Sequence, residues 1–146
     1  MIHLRDATAA DFNLAFEIKK ASIKPYIEKI WGWDEHVQLG FHARYFKPEQ
    51  TKILVDEQGN GIGLLVVTEI EKTIYINNIL IVSSAQGKGI GTFVLSEFVT
   101  QAKLGRKCIK LQVFKINHRA KALYKKLGFK TTNQTGLHAH MEFRWP

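Results

Sequence analysis

The stretch Gln86-Gly87-Lys88-Gly89-Ile90-Gly91 decides how this chain is read. It follows an apolar run, Tyr75 to Val82, with the composition of a strand, and it leads into Thr92 to Leu104, which reads as a helix. Three glycines at alternate positions strip the side chains from a strand-to-helix turn. The backbone N–H groups at the helix start are then open and carry the partial positive charge of the helix dipole, a combination suited to a phosphate or pyrophosphate. Lys88 adds a full charge beside them. A flexible turn without a ligand is the alternative at this point, because glycine-rich turns are common punctuation. The spacing is not that of a nucleotide P-loop, which needs G-x-x-x-x-G-K-[ST]. It is not a dinucleotide fingerprint either: the glycines run G-x-G-x-G, and no acidic residue follows about 20 positions on.

A second segment, Asn117-His118-Arg119-Ala120-Lys121-Ala122-Leu123-Tyr124-Lys125-Lys126-Leu127-Gly128-Phe129, carries the next argument. Asn117 is a favourable helix N-cap. Ala120, Leu123, Tyr124 and Leu127 stand at i, i+3, i+4 and i+7 and share one helical face. Gly128 is the kind of residue found just past a helix end. Taken as structure, this is a short capped amphipathic helix with a tyrosine on its buried face, and most such tyrosines are core residues with one hydrogen bond. The two segments read Q-x-x-G-x-G and N-x-x-A-x-x-L-Y-x-K-x-G-F, about 30 residues apart, with a strand-like Cys108 to Phe114 between them. In that order they resemble the two signatures of the GNAT N-acetyltransferase superfamily, and the resemblance implies a small bacterial-type member.

The rest of the chain is compatible with that arrangement. Ile2 to Arg5 reads as a first strand. Thr8 reads as a helix cap with Asp11 at the third position, the helix running to about Ser22 and stopped by Pro25. Tyr26 to Trp33 reads as a loop or short helical turn unusually rich in aromatics. Asp34 is expected to cap a second helix with Val37, Phe41 and Tyr45 on one face, ending before Pro48. Thr51 to Asp56, Ile62 to Ile70 and Thr73 to Val82 read as an antiparallel meander, and strands are expected near Phe129 to Thr132 and Leu137 to Trp145. The order β-α-α-β-β-β-α-β-α-β-β is that of the superfamily. The expectation is an α/β (α+β) GNAT fold, a mixed and mostly antiparallel central sheet flanked by helices, in a single acetyltransferase domain spanning residues 1–146.

The resemblance implies acetyl-CoA as acetyl donor, with no metal. By it, the backbone of Ile79, Leu80, Ile81 and Val82 would pair with the pantetheine amides, and the N–H groups of Gln86, Gly87, Lys88, Gly89, Ile90, Gly91 and Thr92 would hold the pyrophosphate. Asn117 would touch the pantetheine arm while capping its helix. Tyr124 would sit near the sulfur as general acid, and Lys88 or Lys126 would meet cofactor phosphates. One departure stands out. Many family members carry a Glu or Asp on the third meander strand as base, where this chain has Asn77 and Asn78. Asparagine cannot take a proton, so the base comes from elsewhere (Glu28, Asp34, Glu35, Glu69 and Glu71 are candidates), or water relays the proton, or the amine arrives partly neutral. The acceptor pocket would be built by Pro25 to Glu35. There Tyr26, Trp31 and Trp33 with Glu28, Asp34 and Glu35 could hold a cationic amine by cation–π and charge attraction. Core-capping aromatics and solvated acids are the alternative.

Composition sets the outer bounds. At 146 residues, 45% hydrophobic and 23% charged, the chain is globular and long enough for a real core. No apolar run approaches the length of a membrane span, the first residues do not read as a signal peptide, and a cytoplasmic location is expected. The single Cys108 lies in an apolar strand and is expected in the core. His138 and His140 stand at i, i+2 without a nearby acidic or Cys cluster, so no metal site is expected. Net charge is +8 and uneven: residues 101–146 hold eleven Lys or Arg against Glu142 alone, a net +10, which leaves −2 for residues 1–100. Lys115, Arg119, Lys121, Lys125 and Lys126 surround the second segment, so coenzyme A phosphates account for part of that excess, and nucleic acid is not expected as partner. The expected partner is an amine acceptor, small molecule or peptide, and the aromatic C-terminus (Phe143, Trp145) offers a surface for a homodimer. Two other functions compete with the enzyme: a non-catalytic acyl-CoA sensor of the same fold, and a basic nucleic-acid-binding domain.

Overall fold

Alternation of buried and open residues along Cys108–Phe114 and His138–Phe143 is the mark of strands with one face on a core. The computed structural model describes residues 2–145. Its strands are β1 (His3–Asp6), β2 (Thr51–Val55), β3 (Gly61–Ile70), β4 (Thr73–Ile81), β5 (Cys108–Phe114), β6 (Lys130–Thr135) and β7 (His138–Phe143). Its helices are α1 (Phe12–Ile30), α2 (Glu35–Tyr45), α3 (Ile90–Gly105) and α4 (His118–Lys126), with single 3₁₀ turns at Ala9–Asp11, Pro48–Gln50 and Ser83–Ala85. The strands hydrogen-bond in the order β1-β2-β3-β4-β5-β7-β6. This is the mixed, largely antiparallel α/β fold expected from the element order.

The chain divides into two compact units. One takes the chain up to Val66 together with Ile79–Gln86. In it β1 and β2 pair antiparallel, as do β2 and β3, with a bulge at Leu54/Val55. Ala15 and Ile18 of α1 meet Ile53 and Val55 of β2, with Ala7 and Leu64, and Leu14, Phe46, Val66, Leu80 and Val82 pack around them. Each fully buried Ile, Val or Leu side chain of this cluster contributes about 1.5–3 kcal/mol. Thr8 and Asp11 form a reciprocal capping box at the entrance to α1, and Arg5 forks onto the Asp11 carboxylate at 2.8 and 2.9 Å. These bonds, with the Thr8 N–H, hold the Asp11 carboxyl down to about 2.

Three expectations in this unit are corrected. α1 does not stop at Ser22 or Pro25 but runs on to Ile30. Proline has no N–H for the carbonyl four residues back, and here that carbonyl, of Ala21, accepts the Ser83 hydroxyl at 2.9 Å. The orphaned acceptor is satisfied from outside the helix, so the helix continues. Ser22 bonds back to the Ile18 carbonyl at 2.7 Å instead of ending the helix. Tyr26 and Glu28 therefore lie in the last turns of α1 itself, not in a loop or a separate short helical turn. Asp34 does cap α2, accepting from the Val37 N–H, but Val37, Phe41 and Tyr45 all face solvent. The residue that α2 buries is His42.

The other unit takes Val67–Asn78 and the chain from Gly87 onward. There β4 pairs with β5 in parallel over Thr73–Ile76, and β7 lies antiparallel to both β5 and β6. Ile109, Leu111 and Val113 of β5, Ala139, Met141 and Phe143 of β7, and Val94, Leu95, Val99 and Ala102 of α3 are buried. Tyr124 of α4 joins them, with its ring 5.8 Å from Phe129, which lies 5.9 Å from Phe143. Cys108 is half-buried rather than fully in the core. β6 runs to Thr135 with a bulge at Thr131/Asn133, and β7 ends at Phe143, not Trp145.

Candidate active site

Gly87 and Gly89 hold φ of +78° and +80°, a left-handed conformation that costs an L side chain on the order of 1 kcal/mol. The glycine spacing is thus required by the backbone path. α3 begins at Ile90, two residues earlier than expected, and Ile90 and Gly91 lie buried in its first turn. Gly89 is the N-cap, and no side chain caps the helix, so the first-turn N–H groups keep the partial positive charge of a 16-residue helix. Lys88 is exposed on the turn and Thr92 is half-buried.

Arg119, in the first turn of α4, reaches this loop. A Cβ on Gly87 would lie 2.7 Å from the Arg119 Nη2, so the guanidinium rests against the bare glycine backbone. α4 is capped by Asn117, whose Oδ1 accepts the Ala120 N–H at 3.1 Å and leaves the Nδ2 donor for other use. Seven residues on, Tyr124 is 6% exposed, and burial pushes its phenol up to about 12. Lys126 stands exposed in the last turn.

The remaining candidate positions lie in the first unit. Ile79 to Val82 are half-buried. Within this stretch the Val82 N–H donates to the Ile62 carbonyl at 3.0 Å, and the Ile81 carbonyl accepts the Gln86 Nε2 at 2.8 Å. Two of the backbone groups expected to meet pantetheine are therefore already engaged, one of them by the side chain that opens the glycine loop.

Pro25 to Glu35 satisfies its own charges. Glu35 takes Lys20 at 2.8 Å and the Trp33 Nε1 at 3.0 Å, and these two donors hold its carboxyl below the usual range. The Lys24 ammonium stands 5.7 Å from the Trp33 ring centroid, with Phe16 at 6.5 Å. The cation that the sequence pattern invites at Trp33 and Glu35 is supplied by α1 itself. Asp34 is spent on its cap, Glu28 and Trp31 are exposed, and Tyr26 is half-buried. The structure thus joins Trp33 to Glu35 but leaves no assembled cage of all six residues.

No base emerges among the carboxylates considered. Glu69 pairs with Lys107 at 2.7 Å, and Glu71 sits in a turn at φ +55°. The Asn77 amide donates to the Thr68 hydroxyl at 3.1 Å.

The order of elements, the glycine loop and the tyrosine helix together point to one family. The profile of the acetyltransferase (GNAT) family matches residues 14–129. The chain belongs to that family. Solved GNAT-fold structures cover nearly all of it. The PaiA N-acetyltransferase of Thermoplasma acidophilum, solved with coenzyme A, matches at TM-score 0.81 and 18% identity over 99% of both chains. The ribosomal-protein-S18-alanine N-acetyltransferase of Escherichia coli matches at 0.71 and 17%, over 99% of this chain and 94% of that one. The spermidine N-acetyltransferase of Vibrio cholerae, solved with CoA and spermine, matches at 0.69 and 19%, over 98% and 95%. No curated protein matches the chain in sequence. At these identities the structural likenesses establish the GNAT fold and nothing finer.

Two clusters in this GNAT chain escape a linear reading. One is the contact of Arg119 with Gly87: the sequence sets Arg119 among the basic residues around the second segment but does not bring it onto the loop. The other is His42, whose Nε2 donates to the Phe12 carbonyl and whose Nδ1 accepts from Lys19, both at 2.8 Å, inside a shell of Phe12, Phe16 and Phe46. A polar residue on α2 opposite the Val37–Phe41–Tyr45 stripe was its only trace in sequence. Among the described residues no group of three or more His, Cys, Asp or Glu could hold a metal, and no helix is long and apolar enough to cross a membrane. His138 stacks on Phe114 at 4.8 Å, and His140 shares a 2.6 Å hydrogen bond with Thr135.

Proposed function

We propose that the protein transfers an acetyl group from acetyl-CoA directly to a primary amine, carried by a small molecule or by a protein. The observation that carries this reading is the family match, which spans both the glycine loop and the Asn117–Phe129 helix. The chemistry of the second unit's residues supports it. The loop at Gly87 and Gly89 and the uncapped start of α3 suit a pyrophosphate, with Lys88 beside them and Lys126 available to a further phosphate. Asn117 retains an amide donor for the pantetheine arm.

In the transfer, the amine nitrogen bonds to the thioester carbonyl carbon, the carbon–sulfur bond breaks, and the sulfur leaves with the electron pair. Tyr124 acts on that sulfur. A phenol held at about 12 stays protonated through the working range. Its proton is bound more tightly than that of a free thiol, whose reference pKa is about 8.5. The hydroxyl therefore acts first as hydrogen-bond donor to the developing thiolate. The proton that completes the thiol is balanced by the one the acylated nitrogen releases. The asparagines at 77 and 78 cannot take that nitrogen's proton, which passes to a base elsewhere in the chain or to water. Ile79 to Val82 would add backbone contacts to the donor, and Pro25 to Glu35 would border the acceptor. Because Glu35 and Trp33 already hold Lys20 and Lys24, a polycation must displace lysines to bind there. We read the whole chain as one acetyltransferase domain working in the cytoplasm.

Thermal unfolding with acetyl-CoA, against ATP and NAD, tests the reading. A ligand at about 100 times its Kd adds about 2.7 kcal/mol. A shift with acetyl-CoA alone, followed by amine-dependent thiol release, is the expected result; no shift at millimolar acetyl-CoA overturns it. Asn77 and Asn78 keep a sensor reading in play, and that reading expects the shift without any thiol release.

A further inference from the structure

Strand alternation in the second unit gives its sheet two unlike faces. Ile109, Leu111 and Val113 of β5 and Ala139, Met141 and Phe143 of β7 turn to the core, and Tyr124 joins that side through Phe129 and Phe143. The other face carries Gln112 and Phe114 of β5, set opposite His140 and His138 of β7. The β4–β5 ladder ends at Ile76 and Leu111 while β5 runs on to Phe114, so these residues lie where β5 has lost its β4 neighbour. The two imidazoles lean in opposite directions there. The His140 Nε2 shares a 2.6 Å hydrogen bond with the Thr135 hydroxyl of β6. The His138 ring stacks on Phe114, at 4.8 Å and 25°, toward β5, and neither of its nitrogens has a hydrogen-bond partner among the described residues. His138 is half-buried. Burial, and then the charge of His140, hold it below its ordinary value of 6.5, so it is a neutral imidazole at neutral pH. The titratable groups that share the face are Tyr75 of β4, Cys108 and Lys110 of β5, Lys130 of β6, and His140 and Glu142 of β7, the last paired with Arg144 at 2.8 Å. Asn77 of β4 takes no proton, and its amide donates to Thr68. An unpaired basic nitrogen on this face is therefore found at His138.

We propose that His138 is the general base of the transfer, its imidazole receiving the proton of the acceptor nitrogen on the sheet face opposite Tyr124. The inference rests on the acetyl-transfer reading above and names the base that the carboxylates do not supply. The amine nitrogen bonds to the thioester carbonyl carbon and gives its proton to a free His138 nitrogen. The carbon–sulfur bond breaks, its electron pair stays on sulfur, and the Tyr124 hydroxyl donates to the thiolate from the core side. The imidazolium returns its proton to solvent, and a solvent proton completes the thiol.

Thiol release from acetyl-CoA by the full chain tests it, on wild type, His138→Gln, His138→Ala and His140→Gln. The acceptors are ethylamine, a peptide with a free α-amino group and, as the acceptor always present, water. The ratio of wild-type to His138→Gln rates cancels the titration of the amine itself. That ratio is expected to be about a hundred-fold or more at neutral pH and to shrink as the pH falls below about 6.5, where the imidazole is protonated. Added imidazole should restore part of the rate of His138→Ala, which a merely structural side chain would not allow. His140→Gln should keep most of the wild-type rate, and calorimetry should find CoA affinity within about two-fold in every variant, which reports that each is folded. A His138→Gln rate close to wild type, an equal loss in His140→Gln, a pH-independent ratio without imidazole rescue, or a His138→Gln chain that no longer binds CoA overturns the role of His138 alone. A wild type that releases thiol to no acceptor, water included, overturns the acetyl-transfer reading and this inference with it.

Discussion

The α1–α2 region and the glycine loop with α4 use polar residues in opposite ways. In α1–α2 several polar groups are answered by other groups of the same region. Lys20 and Trp33 converge on Glu35, Lys24 lies over Trp33, Lys19 meets His42, and Ser22 bonds back into its own helix. Around the loop, α3 starts without a side-chain cap, no carboxylate pairs with Arg119 among the described residues, and Tyr124 is buried as an uncharged phenol. A region that spends its polar groups on itself gains definition. A region that leaves its donors to solvent keeps them available to a ligand. The α1–α2 region therefore resembles scaffold, and the glycine loop with α4, the proposed donor end, resembles a binding site.

The sharpest way to break this contrast is Tyr124→Phe. If the donor end is the working end, the variant should lose about a hundred-fold or more in kcat for thiol release, with KM for acetyl-CoA little changed. Folding stability should stay within about 1 kcal/mol, because the ring that packs on Phe129 is kept. Unchanged kcat would make Tyr124 a packing residue.

His42 tests the scaffold side. His42→Ala opens a cavity among Phe12, Phe16 and Phe46 and strands Lys19, so about 3 kcal/mol of stability should be lost in urea unfolding. The intact group also carries a pH signature. Burial, and then the charge of Lys19 facing it from α1, hold His42 below its ordinary value of 6.5, against the pull of the Phe12 carbonyl. Its contribution is therefore present above about pH 6.5 and is lost as the pH falls toward the depressed folded value, where the unfolded chain binds the proton and the native one does not. Wild type should lose stability between pH 8 and 5 more steeply than His42→Gln. Parallel curves would show that the Lys19–His42 contact does not govern this region.

The smallest effect sharpens the comparison. Asp34→Ala removes the α2 cap and should cost about 1 kcal/mol in thermal unfolding while leaving CoA affinity alone. A loss of CoA affinity would mean that α2 and the donor site are coupled.

Most of the fold, with the glycine loop and the α4 helix, was legible in sequence because these depend on short-range patterns. The β5 strand, the Asn117 cap and the left-handed glycines are each local consequences of residue type. Pro25 misled for an equally local reason, since a helix stop is what proline implies when its surroundings are unknown. The Trp31-Gly32-Trp33-Asp34-Glu35 run looked like an open cation trap because its lysine partners lie on the preceding helix, 9 to 15 residues back.

The sequence by itself determined the family, the order of elements and the loop at Gly87 and Gly89, because glycine spacing, caps and hydrophobic period act within a few residues. Only the tertiary structure decided the rest. The Ser83 hydroxyl on the Ala21 carbonyl carries α1 past Pro25, Lys19 finds His42, and Arg119 comes to rest on Gly87. Each of these joins residues 23 to 62 positions apart, and a contact of that span is set by how elements pack, not by the residues beside it.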